Sequence, residues 1–204
     1  MEERKKLLVF GATGGIGRAV AAEAERRGWA VKAVGRAEID LSDAASLEAK
    51  FDNLFASEGP FAGVAYCAGI CPVVPLAMLD AATLERATFV NCHAFVMAAK
   101  AFARKGAHSA EGATAVAVSS VSATDGWAGG AAYCASKGAL SAACRALDCE
   151  LKARGVRVKA LEPSYVLTDM FRKGAGRMGV PECAAMPPED FAALVLDAIE
   201  SPEP

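Results

Sequence analysis

Leu7-Leu8-Val9-Phe10-Gly11-Ala12-Thr13-Gly14-Gly15-Ile16-Gly17 joins a short apolar run to a glycine cluster. Four consecutive apolar residues are the pattern of a strand buried on both faces of a parallel sheet. Glycine is needed where the backbone must turn tightly or approach a phosphate with no Cβ in the way. Ile16 to Arg27 then reads as an alanine-rich helix ended by Gly28. A helix that begins on such a loop offers free N–H groups and a positive dipole end to a pyrophosphate. An isolated glycine motif is weak evidence. Here it stands at the first strand–helix junction, which is the context that dinucleotide binding requires.

The same alternation continues outward. Strands are expected at Ala30 to Val34, Phe61 to Cys67, Ala113 to Ser120 and Val156 to Leu161. Helices are expected at Asp43 to Phe55 behind the N-cap Ser42, at Thr83 to Arg104, at Tyr133 to Arg154 and at Glu189 to Glu200 after Pro187-Pro188. Strand–helix alternation predicts an α/β, Rossmann-type doubly wound parallel sheet with helices on both faces and ligands at the carboxyl ends of the strands. Only Gly35 to Ile39 separates the second strand from Asp40. A parallel crossover needs a dozen or more residues, so no further strand fits there. The expected sheet has five main strands in the order 2-1-3-4-5, within a single domain over residues 1–204.

Length and composition agree. The 204 residues carry 22 Lys+Arg against 24 Asp+Glu, and 53% are hydrophobic. That is enough to bury a core and too apolar for disorder. The near-neutral charge argues against a nucleic-acid partner. No apolar run is long enough for a transmembrane helix, and Leu7 to Phe10 is too short for a signal-peptide core. Seven cysteines without scaffold spacing read as reduced thiols, hence a cytoplasmic expectation. No Cys/His set has zinc spacing, and no metal is expected.

Two further places carry chemistry. The acid that would hold a ribose should lie about 20 residues past the glycine loop. Val34-Gly35-Arg36 stands there instead. A guanidinium suits a 2′-phosphate, so NADP is favoured over NAD. Further on, Ser120 ends a strand, and Tyr133 and Lys137 share one helical face at i and i+4. An ammonium beside a phenol should favour the phenolate and bring down a pKa that is normally about 10.

With these motifs in order, the chain resembles the short-chain dehydrogenase/reductase family over residues 6 to about 199. The glycine loop matches through Gly11, Gly15 and Gly17, although Gly11, Gly14 and Gly17 fit the pattern of other branches equally. Tyr66-Cys67-Ala68-Gly69 corresponds to the family's Asn-Asn-Ala-Gly, Asn91 to its helical asparagine, and Pro163-Ser164-Tyr165-Val166-Leu167-Thr168 to Pro-Gly-x-Val-x-Thr. The resemblance implies NAD(P)-dependent hydride transfer between a small alcohol and a carbonyl compound. Tyr133 would be the proton donor, Ser120 a hydrogen bond to the substrate oxygen, and Lys137 the group that tunes the tyrosine and holds the nicotinamide ribose. Asn91 would support a water in a proton relay. It implies cofactor contacts from Gly11, Thr13, Gly14, Gly15, Ile16 and Gly17, from Arg36, Asp40 and Leu41, from Cys67, Ala68 and Gly69, from Tyr133 and Lys137, and from Pro163, Val166 and Thr168. It also implies a homodimer or homotetramer through the alanine-rich helices. A short substrate lid is expected near 164–188, with Met170, Phe171, Met178, Cys183 and Met186 as apolar lining and Trp127 close by. An NAD-preferring dehydrogenase and a non-catalytic NADP(H)-binding sensor are the rival readings.

Overall fold

The computed structural model describes residues 4–201, apart from the side chains of residues 177 and 178. Met178, expected in the lid lining, thus has its side chain outside the described residues. Five parallel strands form the sheet: β1 (Lys6–Phe10), β2 (Ala30–Val34), β3 (Gly63–Tyr66), β4 (Ala113–Val118) and β5 (Val156–Leu161). Their order is β2-β1-β3-β4-β5, with β2 and β5 at the edges. The residue count after Val34 had required this order. The crossover from β2 to β3 is made by α2 (Ala44–Glu58), and no strand lies outside β2 among the described residues.

Successive strand residues face opposite sides of the sheet, and the core divides accordingly. Leu8, Phe10, Val64, Tyr66, Ala115 and Ala117 pack with Phe51, Phe95 and Leu140 on the face covered by α2, α4 (Ala94–Phe102) and α5 (Ala131–Leu151). Leu7, Val9, Ala65, Val116 and Val118 pack with Val20, Val195 and Leu196 on the face covered by α1 (Gly15–Arg26) and α7 (Pro188–Glu200). Along β1, β3 and β4 both faces are covered, which is why these strands read as continuous apolar runs. Phe10 sits in an aromatic cluster, with its ring centroid 5.3 Å from Phe51 and 5.8 Å from Tyr66.

Three local boundaries differ from the sequence-based expectation, each for a physical reason. The helix expected at Thr83 to Arg104 is two: α3 (Ala81–Thr88) and α4 are joined by one π-helical turn, Phe89–His93. Such a turn inserts one extra residue, and a 3.6-residue period cannot reveal it. The fourth strand ends at Val118, so Ser120 does not belong to it. Ser120 caps a 3₁₀ turn, Val121–Ala123, by accepting from the Ser122 amide. The third strand is shortened to Gly63–Tyr66, and Phe61 makes an isolated bridge to His108. A short helix α6 (Asp169–Lys173) and two 3₁₀ turns occupy the stretch between β5 and α7.

Candidate active site

The glycine loop leaves β1 at Gly11, whose φ is +74°. The amides of Gly11 and Ala12 both donate to the Val34 carbonyl, tying the loop to the end of β2. A Cβ at Gly11 would stand 2.7 Å from the Ala68 nitrogen, so the loop also lies directly against the segment after β3. Helix α1 then starts with no side-chain cap. Its first amides open onto a cavity of about 440 Å³ lined by Gly11, Thr13, Gly14, Gly15 and Ile16 on one side and by Cys67, Ala68 and Gly69 on another. Arg36, Asp40 and Leu41 form its far end, and Thr168 and Met170 its rim. Gly17 is the exception. It is buried beneath the loop and does not line the cavity.

An uncapped helix N-terminus, side-chain-free backbone and a cationic far end fit a dinucleotide phosphate backbone. Arg36 is well exposed, and its guanidinium stands 3.8 Å from Asp40. The Ser42 hydroxyl and amide hold the Asp40 carboxyl below the usual range, with Arg36 adding a weaker pull. Arg18 also lines this cavity. It had not been singled out, because the motif was read only as far as Gly17. Its place one residue into the helix after the last glycine is the signal that could have found it.

A second cavity, of about 380 Å³, adjoins the first and shares Ile16, Cys67, Ala68, Gly69, Thr168 and Met170 with it. Ser120, Tyr133 and Lys137 all line it, together with Pro163 and Val166. Helix α5 brings Tyr133 and Lys137 in. It is pinned to the end of β4 by a buried serine network: Ser119 donates to the Lys137 carbonyl at 3.2 Å and pairs with Ser141 at 2.8 Å. The Lys137 ammonium is buried, donates to the Val118 carbonyl at 2.7 Å, and lies 5.7 Å from the Tyr133 ring centroid.

Electrostatics here depart from the sequence-based expectation. Burial pushes the Tyr133 phenol up to about 12, with the Cys71 thiol adding to the rise and hydrogen bonding to Ser120 opposing it. Burial likewise pulls Lys137 down to about 8. The expected lowering of the tyrosine by its lysine is absent. Desolvation outweighs it, and the ammonium is turned toward a backbone carbonyl. Desolvation also pushes the thiol of half-buried Cys67 up to about 12.

Asn91 lines neither cavity. It sits wholly buried in the π turn, where its amide donates to the Ile70 carbonyl and to Ser136 Oγ and accepts from the Ile70 amide. Ser136 in turn donates to the Tyr133 carbonyl. A Cβ at Gly69 would stand 3.2 Å from Asn91 Oδ1 and 3.6 Å from Lys137 Nζ, so asparagine and lysine flank the same glycine. Nearby, the Tyr66 hydroxyl donates to the Val90 carbonyl at 2.6 Å. Removing the Asn91 amide breaks three hydrogen bonds, two to Ile70 and one to Ser136, and each such loss costs about 1–3 kcal/mol. Asn91→Ala is therefore expected to lower Tm by roughly 4–10 °C, measured by thermal denaturation. A shift under about 2 °C would contradict this structural assignment.

Of the expected lid residues, Met170 and Phe171 line the second cavity. Met186 and Cys183 do not, and Met186 instead bridges to Val166 through the backbone. Ser122, Asp125, Tyr165 and Cys71 line it without having been anticipated as site residues. Among the described residues no group of three His, Cys, Asp or Glu side chains is placed to hold a metal ion, and no helix is long and apolar enough to cross a membrane.

Fold and cavities together define a dinucleotide-binding α/β protein. The short chain dehydrogenase family profile matches residues 36–177, and the chain belongs to that family of NAD(P)-binding oxidoreductases. It is 34% identical over 183 residues to a 1-deoxy-11-beta-hydroxypentalenate dehydrogenase of Streptomyces exfoliatus, covering 89% of this chain and 66% of that protein. It is 27% identical over 186 residues to an L-xylulose reductase of Caenorhabditis elegans, covering 82% of this chain and 74% of the relative. A solved structure from Beutenbergia cavernae, described as an NAD(P)-dependent gluconate 5-dehydrogenase with NADP bound at low occupancy, superposes with a TM-score of 0.84 at 26% identity, covering 96% of this chain and 89% of that one.

Proposed function

We propose that the chain is an NADPH-preferring reductase of small carbonyl compounds, able to run in reverse as an alcohol dehydrogenase, with Ser120, Tyr133 and Lys137 as its catalytic residues. The observation that carries this reading is the convergence of those three side chains on one cavity that opens directly onto the glycine-loop groove. A bound reduced nicotinamide would supply the hydride. The protein's own part is position, a proton and a shaped, dry cavity. Tyr133 Oη gives its proton to the substrate oxygen as charge develops there. Ser120 Oγ donates to the same oxygen. Lys137 Nζ holds positive charge beneath the phenol and carries donors for a ribose hydroxyl. Asn91 is a positioning residue: through Ser136 it fixes the turn of α5 that carries Tyr133. The segment 164–188 serves as a short lid over a single catalytic domain.

The first test is oxidation of NADPH and NADH with a panel of ketones, diketones and aldehydes, read beside nicotinamide fluorescence on binding. Absence of binding to either cofactor would sink the dinucleotide reading itself.

Arg36 supports the NADP preference, since it is an exposed guanidinium at the far end of the groove with one distant carboxylate partner. A phosphate contact of this kind is worth about 1.5–3 kcal/mol. Arg36→Asp is therefore expected to raise KM for NADPH by about tenfold to a hundredfold and to turn the preference toward NADH. Unchanged relative kcat/KM for the two cofactors would overturn the assignment.

A further inference from the structure

The cavity beside Tyr133 has a chemical character that narrows what can react there. Its walls are Val73, Val121, Trp127, Tyr165, Met170 and Phe171. Its polar side chains, beyond the catalytic three, are mostly committed to the protein. Ser119 is spent on Ser141 and the Lys137 carbonyl. Ser122 Oγ accepts from Trp127 Nε1 at 3.2 Å. Thr168 Oγ1 donates to the Val166 carbonyl and caps α6. Asp125 and Ser164 stand exposed at the mouth. Among the described residues that line the cavity, Lys137 is the single cation.

Trp127 is the most firmly placed of these walls. Besides its bond to Ser122, its ring lies on Gly130, where a Cβ would stand 2.5 Å from Trp127 Cε2. Only glycine lets the indole sit that low. Its ring centroid is 6.4 Å from that of Tyr133, inclined at 52°. The segment it faces is tied down as well, since the Val74 amide donates to the Gly129 carbonyl. The indole is thus a preset apolar surface beside the phenol.

We infer that the substrates are uncharged carbonyl compounds with an apolar flank, and that Trp127 is the residue that selects them by packing against that flank. The inference rests on the reductase reading above and narrows it. A carboxylate or phosphate group finds no free cation in this cavity. A polyhydroxylated chain finds few uncommitted hydrogen-bonding groups away from the mouth, and each buried hydroxyl left unpaired costs about tenfold in kcat/KM. Open-chain sugars, for which several relatives of the family are named, are therefore expected to be poor substrates here.

The test measures kcat/KM with NADPH for four probes: cyclohexyl methyl ketone, xylulose, levulinate and its methyl ester. Cyclohexyl methyl ketone is expected to exceed xylulose by about a hundredfold, and the methyl ester to exceed levulinate by at least about tenfold. Trp127→Ala should cost about tenfold or more on cyclohexyl methyl ketone, with butanone affected by less than about threefold, and Trp127→Phe should restore most of the loss. Cofactor binding, read by nicotinamide fluorescence, should be unchanged in both variants, which separates selection from a collapsed site. Xylulose used as well as cyclohexyl methyl ketone would overturn the substrate class while leaving the reductase reading intact. Equal losses on the large and small ketones would overturn the role of Trp127. Failure of all four probes with both NADPH and NADH would count against the reductase reading and this inference together.

Discussion

Tyr133→Phe is expected to lower kcat for carbonyl reduction by about 10²–10⁴-fold, with Tm and cofactor affinity close to those of the parent. The substitution removes one oxygen from a cavity wall. The ring remains beside Trp127, and the backbone bond from Ser136 to the Tyr133 carbonyl does not depend on the hydroxyl. What is lost is the proton donor of the proposed mechanism. Single-turnover and steady-state NADPH oxidation measure the loss, and fluorescence titration of the cofactor measures what is kept. Residual activity within about tenfold of the parent would mean that the proton comes from elsewhere. The surroundings of the two titrating groups also fix the sign of the pH dependence. The phenol keeps its proton to about 12, while the Lys137 ammonium titrates near 8. In the proposed mechanism reduction needs the protonated phenol and the charged lysine, so its kcat/KM should be level below about 8 and fall above it. Oxidation of the alcohol needs the phenolate, so its rate should rise with pH over the same range. A reductive rate that climbs into the alkaline range would contradict this assignment of roles.

The sheet order was readable because it follows from counting: five residues after β2 cannot make a crossover, whatever their identity. The meeting of Ser120, Tyr133 and Lys137 was readable too, since helical spacing and the strand-end rule act through the backbone alone. What escaped the sequence depends on desolvation and on single-residue insertions. The i, i+4 spacing places an ammonium near a phenol, but it does not say that burial will outweigh the attraction or that the Val118 carbonyl will take the ammonium. Nor does it reveal the π turn that swings Asn91 away from the cavities and onto Ile70 and Ser136. Tyr66 illustrates the same limit. Its hydroxyl reaches across to the Val90 carbonyl and holds the turn from the other side, a contact that the sequence does not show. The walls of the second cavity come from the segments after β3, β4 and β5 and from α1, α5 and α6, and only their assembly shows that Trp127 rests on Gly130.

The glycine loop admits two sequence patterns, and the structure ranks its members in a way that stability can test. A Cβ at Gly17 would lie 2.1 Å from the Gly11 carbonyl oxygen and 2.7 Å from its carbon. Both are backbone atoms, and Gly11 is itself held by the Val34 carbonyl on one side and by Ala68 on the other. Alanine inside a helix normally gains about 1 kcal/mol over glycine. Here that gain is overwhelmed, because α1 must move away from β1 to relieve the clash, and overpacking of this kind costs about 3 kcal/mol or more. Gly17→Ala is therefore expected to lower Tm by roughly 6–12 °C and to weaken NADPH binding, since the displaced helix takes the phosphate-facing amides with it. At Gly15 the obstacle is the Thr168 methyl, 2.7 Å away, a side chain on the lid segment that can turn aside. At Gly14 a Cβ would meet only the Gly11 oxygen, at 3.3 Å. Destabilisation should thus fall in the order Gly17→Ala, Gly15→Ala, Gly14→Ala, with the last within about 1 kcal/mol of the parent. Thermal denaturation of the three variants decides it. A Gly17→Ala protein as stable as the Gly14→Ala protein would mean that the close approach of α1 to the Gly11 carbonyl does not hold in solution.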